Sequence, residues 1–446
     1  MMQRVAVIGG GWAGCAAGVE LARSGTQVTL FEASRTLGGR ARAVDMDGRL
    51  LDNGQHILLG AYSESMRLMR STGIALDDVL MRLPLQMRYP AGSGMQFVAP
   101  RLPAPLHVLA GLLRTTGLDR ADKLALARFS TTARWMDWKL NDDCSVAELL
   151  DRFDQTDRLT QLMWRPLCIA ALNTPPERAS AQVFLNVLRD SLGARRSASD
   201  MLIPKVDLTA LFPRRAGAFV EEHGGVVQCG AMVKRIVRAG EGWRVERQGT
   251  ADPADLFDAI VVATAPAAAA TLLEGLADIP ALSAFEYEPI TTCYLQYGRE
   301  LRLDSPLFAL EEQPDLGGWG QFVFDRGLLD PERAGLLAVV VSASREAIAP
   351  GHDVLAAAVA TQLANVFRRP EMKNPLWSKV ITEKRATFSC RPALVRPSND
   401  IGVAGLALAG DYTACDYPAT LESATRSGVL AARLISDTLS RARAAG

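Results

Sequence analysis

Glycines at positions 9, 11 and 14 stand at the spacing G-x-G-x-x-G, and an acid, Glu32, follows roughly 20 residues later. These residue types at this spacing suit a dinucleotide. Gly9 permits a tight turn, Gly11 lets the backbone approach a pyrophosphate, and Gly14 lets a helix lie close on a strand. Trp12 and Ala13 offer backbone N–H groups at the positive end of that helix, where phosphates bind. Glu32, with Ala33 beside it, sits where a ribose hydroxyl would be held. Two further groups have the same character. Gly38-Gly39-Arg40 follows the acid directly, and Gly410-Asp411 leads through a loop to Pro418 and Thr420-Leu421.

The elements that must position these residues are legible. The apolar run 5–8 reads as a buried parallel strand and 13–23 as a helix stopped by Ser24-Gly25. A second strand, 27–31, delivers Glu32. Near the far end, 406–409 is a short apolar strand. Pro418 suits the start of a helix whose small residues Ala424, Ser427, Gly428, Ala431 and Ala432 let it lie close to a neighbour. Mid-chain, 225–228 and 231–237 read as strands of one meander, followed by 243–247 and 259–266.

The stretch from Glu32 to Gly38-Gly39-Arg40, with the Gly410-Asp411 and Thr420-Leu421 pattern, resembles the flavin amine oxidase and phytoene desaturase superfamily. The resemblance implies an α/β fold: a Rossmann-like FAD-binding domain of that superfamily's type, with a second, mixed α+β substrate domain. The FAD domain would be assembled from 1–60, 205–265 and 381–446, and the substrate domain from 61–204 and 266–380. It implies that Gly38, Gly39 and Arg40 lie along the FAD pyrophosphate and that Val233 touches the adenine through its backbone. Asp411, after Gly410, would hold a ribityl hydroxyl or a phosphate-bound water. The helix start near Thr420 and Leu421 would face the flavin ring, and Gly54, Gln55 and His56 would cross it. Cys390 lacks the neighbours of a flavin-linked cysteine, so the FAD is expected to be non-covalent.

Three segments, 52–62, 164–174 and 416–422, closely resemble the squalene-associated branch, the hydroxysqualene dehydroxylases of bacterial hopanoid synthesis. The family reaction is reductive: hydroxysqualene loses its hydroxyl as water and gains hydride from flavin. The site must therefore supply an acid, a dry cavity and a wall that tolerates an allylic cation. His56 is the first candidate for the acid, with Asp416, Tyr417 and Glu422 behind it. The plainer reading of His56 is a hydrogen bond to backbone or flavin, and that of Glu422 is electrostatic or capping. Alternatives in the same superfamily are carotenoid-type desaturation and, further off, amine oxidation; a non-catalytic flavoprotein is a different class.

Composition narrows the partners. Lys plus Arg and Asp plus Glu are 49 each, so there is no basic excess for nucleic acid. The seven cysteines form no C-x-x-C pair, and the four histidines have no partner at ligand spacing, so neither a disulfide frame nor a metal site is expected. Gly92-Ser93-Gly94 reads as a hairpin turn, and neither it nor Gly317-Gly318-Trp319-Gly320 makes a second dinucleotide site; the electron donor stays unidentified. No stretch reaches the roughly 20 apolar residues of a membrane span. A polyisoprenoid substrate nonetheless implies a cytoplasmic protein peripheral on the inner membrane face, with other squalene-pathway enzymes among the partners to expect. Segment 101–114 sets Leu102, Leu106, Leu109 and Leu113 at helical spacing, with Arg101, Arg114, Arg120, Lys123 and Arg128 around them. The competing reading packs those leucines in the core.

Overall fold

The computed structural model describes residues 3–104, 106–193, 195–248 and 256–445. Its central sheet is five-stranded and all parallel. The order is Val226–Cys229, β2 (Gln27–Glu32), β1 (Arg4–Ile8), Ala259–Val262 and Leu406–Leu408. Val5, Ala6 and Val7 are fully buried, as a strand covered on both faces requires; this is why the run is continuously apolar.

One expectation is corrected here. Val226–Cys229 is not part of the antiparallel meander but the parallel edge strand beside β2. The helix Pro213–Glu222 immediately before it supplies the crossover that a parallel neighbour needs. The meander holds only Val233–Ala239, Gly242–Arg247 and Leu256–Phe257.

Helix α1 (Trp12–Arg23) packs between this sheet and the long C-terminal helix Leu421–Ala445. Both contacts depend on missing side chains. A Cβ on Gly14 would fall 1.8 Å from the Gly9 carbonyl oxygen, and one on Gly428 would fall 2.1 Å from that of Ala13.

A second sheet is antiparallel, in the order Leu307–Ala309, Phe322–Asp325, Leu336–Ser342, Tyr287–Gln296 and Trp377–Phe388. Trp377–Phe388 pairs with Tyr287–Gln296 on both sides of residue 381, where the sequence reading placed a domain boundary. The helix His352–Phe367 covers this sheet. Strands Gln86–Arg88 and Gln96–Val98 form the hairpin around Gly92-Ser93-Gly94.

Segment 101–114 becomes helical from Leu106 to Arg114. His107, Gly111 and Leu112 face inward, while Leu106, Leu109 and Leu113 are 53%, 50% and 67% exposed. The core reading of these leucines is therefore overturned: helical phase sends Leu112 inward and the other three out. No helix among the described residues is long and apolar enough to cross a membrane.

Candidate functional site

The site begins where β1 ends. Gly9 has φ +106°, and a Cβ there would meet the Ala263 carbonyl oxygen at 2.5 Å, so only glycine makes this turn. At Gly11 the situation is reversed: a Cβ would find nothing nearer than the Gly39 Cα at 3.9 Å. That open side faces the second glycine loop. The Gly38 N–H donates to the Gly10 carbonyl at 2.8 Å, and Gly39 takes φ +61° directly against Gly11. The two glycine motifs thus form one cradle at the start of α1.

Glu32, at the end of β2, is buried and accepts two backbone N–H groups, Gly10 at 2.6 Å and Ser34 at 2.7 Å. Ala33 is exposed beside it. The Ala231 N–H donates to the Glu32 carbonyl, which brings the start of the strand carrying Val233 to the same edge. Trp12 turns its indole into the core against Phe212, centroids 5.2 Å apart, so its backbone alone serves the cradle.

Arg40 joins the two ends of the chain. Its guanidinium donates to the Asp411 carboxylate at 2.6 Å and to the Ala386 carbonyl at 2.8 Å. Gly410 is anchored from below by Ser427, whose hydroxyl accepts its N–H at 2.9 Å. Thr420 caps the C-terminal helix: its hydroxyl accepts the Ser423 N–H, and its own N–H donates to the Ser423 hydroxyl. The next two N–H groups, of Leu421 and Glu422, make no hydrogen bond within the described residues, so this positive helix end is available to a ligand.

The segment crossing toward the second sheet is held from that side. Gln55 donates to the Tyr294 hydroxyl at 2.8 Å and accepts from Arg326 at 3.0 Å. Asp52 and Arg326 approach to 3.9 Å, both buried. Gly54 is buried, and its carbonyl lies 3.2 Å from His56 Nδ1. Burial lowers the His56 pKa below the usual histidine value, and the Arg40 charge adds to this.

The acid candidates separate. Tyr417 is half-buried and donates its phenol proton to Asp190; burial first, and that bond second, push it up to about 12. Burial alone would raise Asp190, but hydrogen bonds from Arg189 and Tyr417 hold it below the usual carboxylate range. Asp416 is exposed, and its carbonyl accepts from Asn186 at 3.0 Å. Glu422 leaves the list of acids. Its oxygens accept the Glu64 and Ser65 N–H groups and the Ser65 hydroxyl, and pair with Arg426 at 2.7 Å. A buried carboxylate so fully used has its oxygens committed to the protein; it caps the helix Ser63–Ser71. No hydrogen bond joins His56 to Asp416, Tyr417 or Glu422 among the described residues.

Three residues escaped the sequence reading. Arg396 gathers the loop after Asp411, donating to the carbonyls of Asp411 and Tyr417 at 2.6 Å and of Cys415 at 3.1 Å. Asp190 accepts the hydrogen bond of the Tyr417 hydroxyl, and Arg326 supports Gln55. None lies in a motif; Asp190 and Arg326 act across sequence gaps of 227 and 271 residues, and Arg396 across 15 to 21. Asn173, within the segment 164–174, was noticed only as part of a pattern. Its side chain ties Glu288, Thr387 and Ala343 together from a left-handed helix end. Among the described residues no cluster of His, Cys, Asp and Glu could hold a metal ion.

A family model described as flavin containing amine oxidoreductase matches residues 12–436. The chain is 28% identical to a protein named hydroxysqualene dehydroxylase from Rhodopseudomonas palustris, over 98% of this chain and 99% of that one. It is 24% identical to a zeta-carotene desaturase of Synechocystis sp., over 97% of each. Its fold matches the solved structure of cyclohexylamine oxidase from Brevibacterium oxydans with a TM-score of 0.70, covering 99% of this chain and 100% of that one. At 17% identity, this last likeness speaks for the fold alone.

Proposed function

The chain belongs to the flavin-containing amine oxidoreductase family and is a flavin-dependent oxidoreductase, and from that premise we propose that it removes the hydroxyl of hydroxysqualene reductively, giving squalene and water. The observation that carries the substrate is the 28% identity, over nearly the whole of both chains, to the protein named hydroxysqualene dehydroxylase. The cofactor in this reading is FAD.

The residues present fit it. The open side of Gly11 would take the pyrophosphate, with Gly9 and Gly14 shaping the turn and the N–H groups of Trp12 and Ala13 beside it. Gly38, Gly39 and Arg40 would line the same phosphates. Glu32 already accepts two N–H groups, yet a carboxylate keeps lone pairs for a ribose hydroxyl. Ala33 and Val233 would border the adenosine, and Gly410 and Asp411 the ribityl chain. The open N–H groups behind Thr420, beginning at Leu421, suit the negative edge of a reduced ring. Gly54, Gln55 and His56 would cross its face. The bond to the protein is non-covalent: Cys390 is buried, donates its N–H to Thr174, and burial pushes its thiol up to about 12, so no thiolate is on hand.

Bound reduced flavin supplies hydride. The chain must supply the proton that lets the allylic hydroxyl leave as water, and must keep other water out. His56 is the proposed donor. Its lowered pKa makes the charged donor form scarcer than on a free histidine, so the step gains from acid pH. The Tyr417–Asp190 pair is the reserve route, and Asp416, exposed at the rim, the weakest. Residues 1–60, 205–265 and 381–446 would bind FAD, and 61–204 and 266–380 the substrate.

The substrate is a lipid, and the exposed leucines give it a route. Leu106, Leu109 and Leu113, with Leu102 nearby, form an apolar face among the exposed Arg101, Arg114, Arg120 and Arg128. That combination suits the anionic inner surface of the cytoplasmic membrane. The flavin's reductant would be a separate donor, since no second nucleotide fingerprint accompanies the first.

A polyisoprenoid desaturase is the second reading, favoured by the 24% identity to the zeta-carotene desaturase. Mass spectrometry of lipids from bacteria that make hydroxysqualene, with and without this gene, tests both. Squalene formed only with the gene supports the dehydroxylase. A more unsaturated polyene supports the desaturase, and unchanged hydroxysqualene overturns the first reading.

A further inference from the structure

Arg326 is the least expected charge in the molecule. It lies at the end of the strand Phe322–Asp325 and is 1% exposed. A guanidinium out of water is costly unless its donors are used. Here one nitrogen, Nη1, donates to the Gln55 side-chain oxygen at 3.0 Å and reaches the Pro204 carbonyl at 3.4 Å. Nε and Nη2 are buried and make no hydrogen bond within the described residues. The Asp52 carboxylate stands 3.9 Å from Nη2, and accepts the Leu208 N–H at 2.8 Å instead.

The partners of Arg326 close a ring. Gln55 donates to the Tyr294 hydroxyl, which donates to the Asp52 carbonyl at 2.7 Å, and the Asp52 carboxylate faces Arg326 again. Two members, Asp52 and Gln55, flank the short segment leading to His56. Of the other two, Tyr294 belongs to the antiparallel sheet, and Arg326 opens the 3-10 turn that follows the sheet's strand Phe322–Asp325. Apolar side chains of similar volume would fill this space at lower cost in desolvation. A hydrophobic residue in place of Arg326, however, would leave the Gln55 side-chain oxygen without its donor.

We propose that Arg326 is a positioning residue: through Gln55 it fixes the turn 54–56 and with it the His56 imidazole. This rests on the reading that His56 faces the reacting centre. Tyr294 shares the task from the other side of the amide. Neither residue needs to touch substrate or cofactor, because a turn displaced by an ångström misaligns the group it carries.

The test uses full-length protein purified with its flavin, and protein stripped of flavin. Two signals are read: the side-chain 15N resonances of His56, assigned by their loss in His56→Asn among the four histidines, and single-turnover flavin reoxidation by hydroxysqualene. Arg326→Met should move the His56 signals in both forms and slow reoxidation by roughly 10- to 100-fold. Gln55→Leu should do the same, and the double variant should be little worse than either single one, because one route is cut twice. Tyr294→Phe should give a smaller shift. If Arg326→Met fails to fold, Gln55→Leu decides alone. Unmoved His56 signals in a folded Arg326→Met or Gln55→Leu protein overturn the proposal, as do fully additive losses. Should wild-type protein fail to act on hydroxysqualene, the substrate reading falls, while the imidazole signals still judge Arg326.

Discussion

Arg40 and Asp411 are 371 residues apart in the chain, and their side chains meet at 2.6 Å. The contact ties the second glycine loop to the loop before the C-terminal helix, so one ion pair joins the two motifs proposed to face the cofactor. Asp411 is buried and Arg40 partly exposed, which places the bond at the lower end of the charge-assisted range. Arg40→Leu should therefore weaken FAD binding about tenfold, roughly 1.4 kcal/mol. Equilibrium titration of stripped protein with FAD measures it. An unchanged Kd would mean that the pair only braces the loops.

Glu422 illustrates what the sequence did and did not disclose. Its place on the C-terminal helix was legible, though the structure sets it in the first turn rather than one turn inside, and capping was one reading of it. Its partners, Glu64 and Ser65, lie more than 350 residues away, beyond any spacing rule. Glu422→Gln should lower thermal stability, by about 1–3 kcal/mol, since one of the two buried oxygens that accept an N–H group becomes an NH2 donor facing it. The single-turnover rate of the folded fraction should stay within about twofold of wild type, well short of the loss that removing a general acid brings. A large rate loss at unchanged stability would return Glu422 to the mechanism.

The same contrast runs through the fold. Gly9, Gly11, Gly14 and Glu32 were readable because their chemistry is local: strand, turn, helix and strand follow within one short stretch. Val226–Cys229 was misplaced because its apolar pattern suits a meander and a parallel edge equally, and the crossover helix before it decides. Arg326 and Arg396 were invisible because an arginine in sequence gives no sign that it will be buried or gather distant carbonyls.

If His56 is the proton donor, its charged form is the active one. Burial lowers its pKa, so that form is lost as pH rises through a value below the ordinary one, about 6.5. Reoxidation of reduced enzyme by hydroxysqualene should speed up as pH falls through that region and flatten below it. His56→Ala should remove the pH dependence and slow the step by about 10²–10⁴-fold while FAD stays bound. A wild-type rate in the variant would move the role to Tyr417 and Asp190.

Leu109 and Leu113 are half or more exposed, so replacing both with Ser should leave thermal stability and FAD content unchanged. Flotation with vesicles containing anionic lipid should fall, and added salt should lower wild-type flotation by screening Arg101, Arg114, Arg120 and Arg128. Unaltered flotation would remove this face as the membrane contact.

The most direct measurement is made without oxygen. Enzyme reduced by light is mixed with hydroxysqualene, and the flavin spectrum and the lipid are followed together. The account predicts that flavin is reoxidised while squalene forms, one molecule for each flavin. Flavin that stays reduced with hydroxysqualene intact, while the oxidised enzyme is bleached by a polyene, would contradict it and make the protein a desaturase.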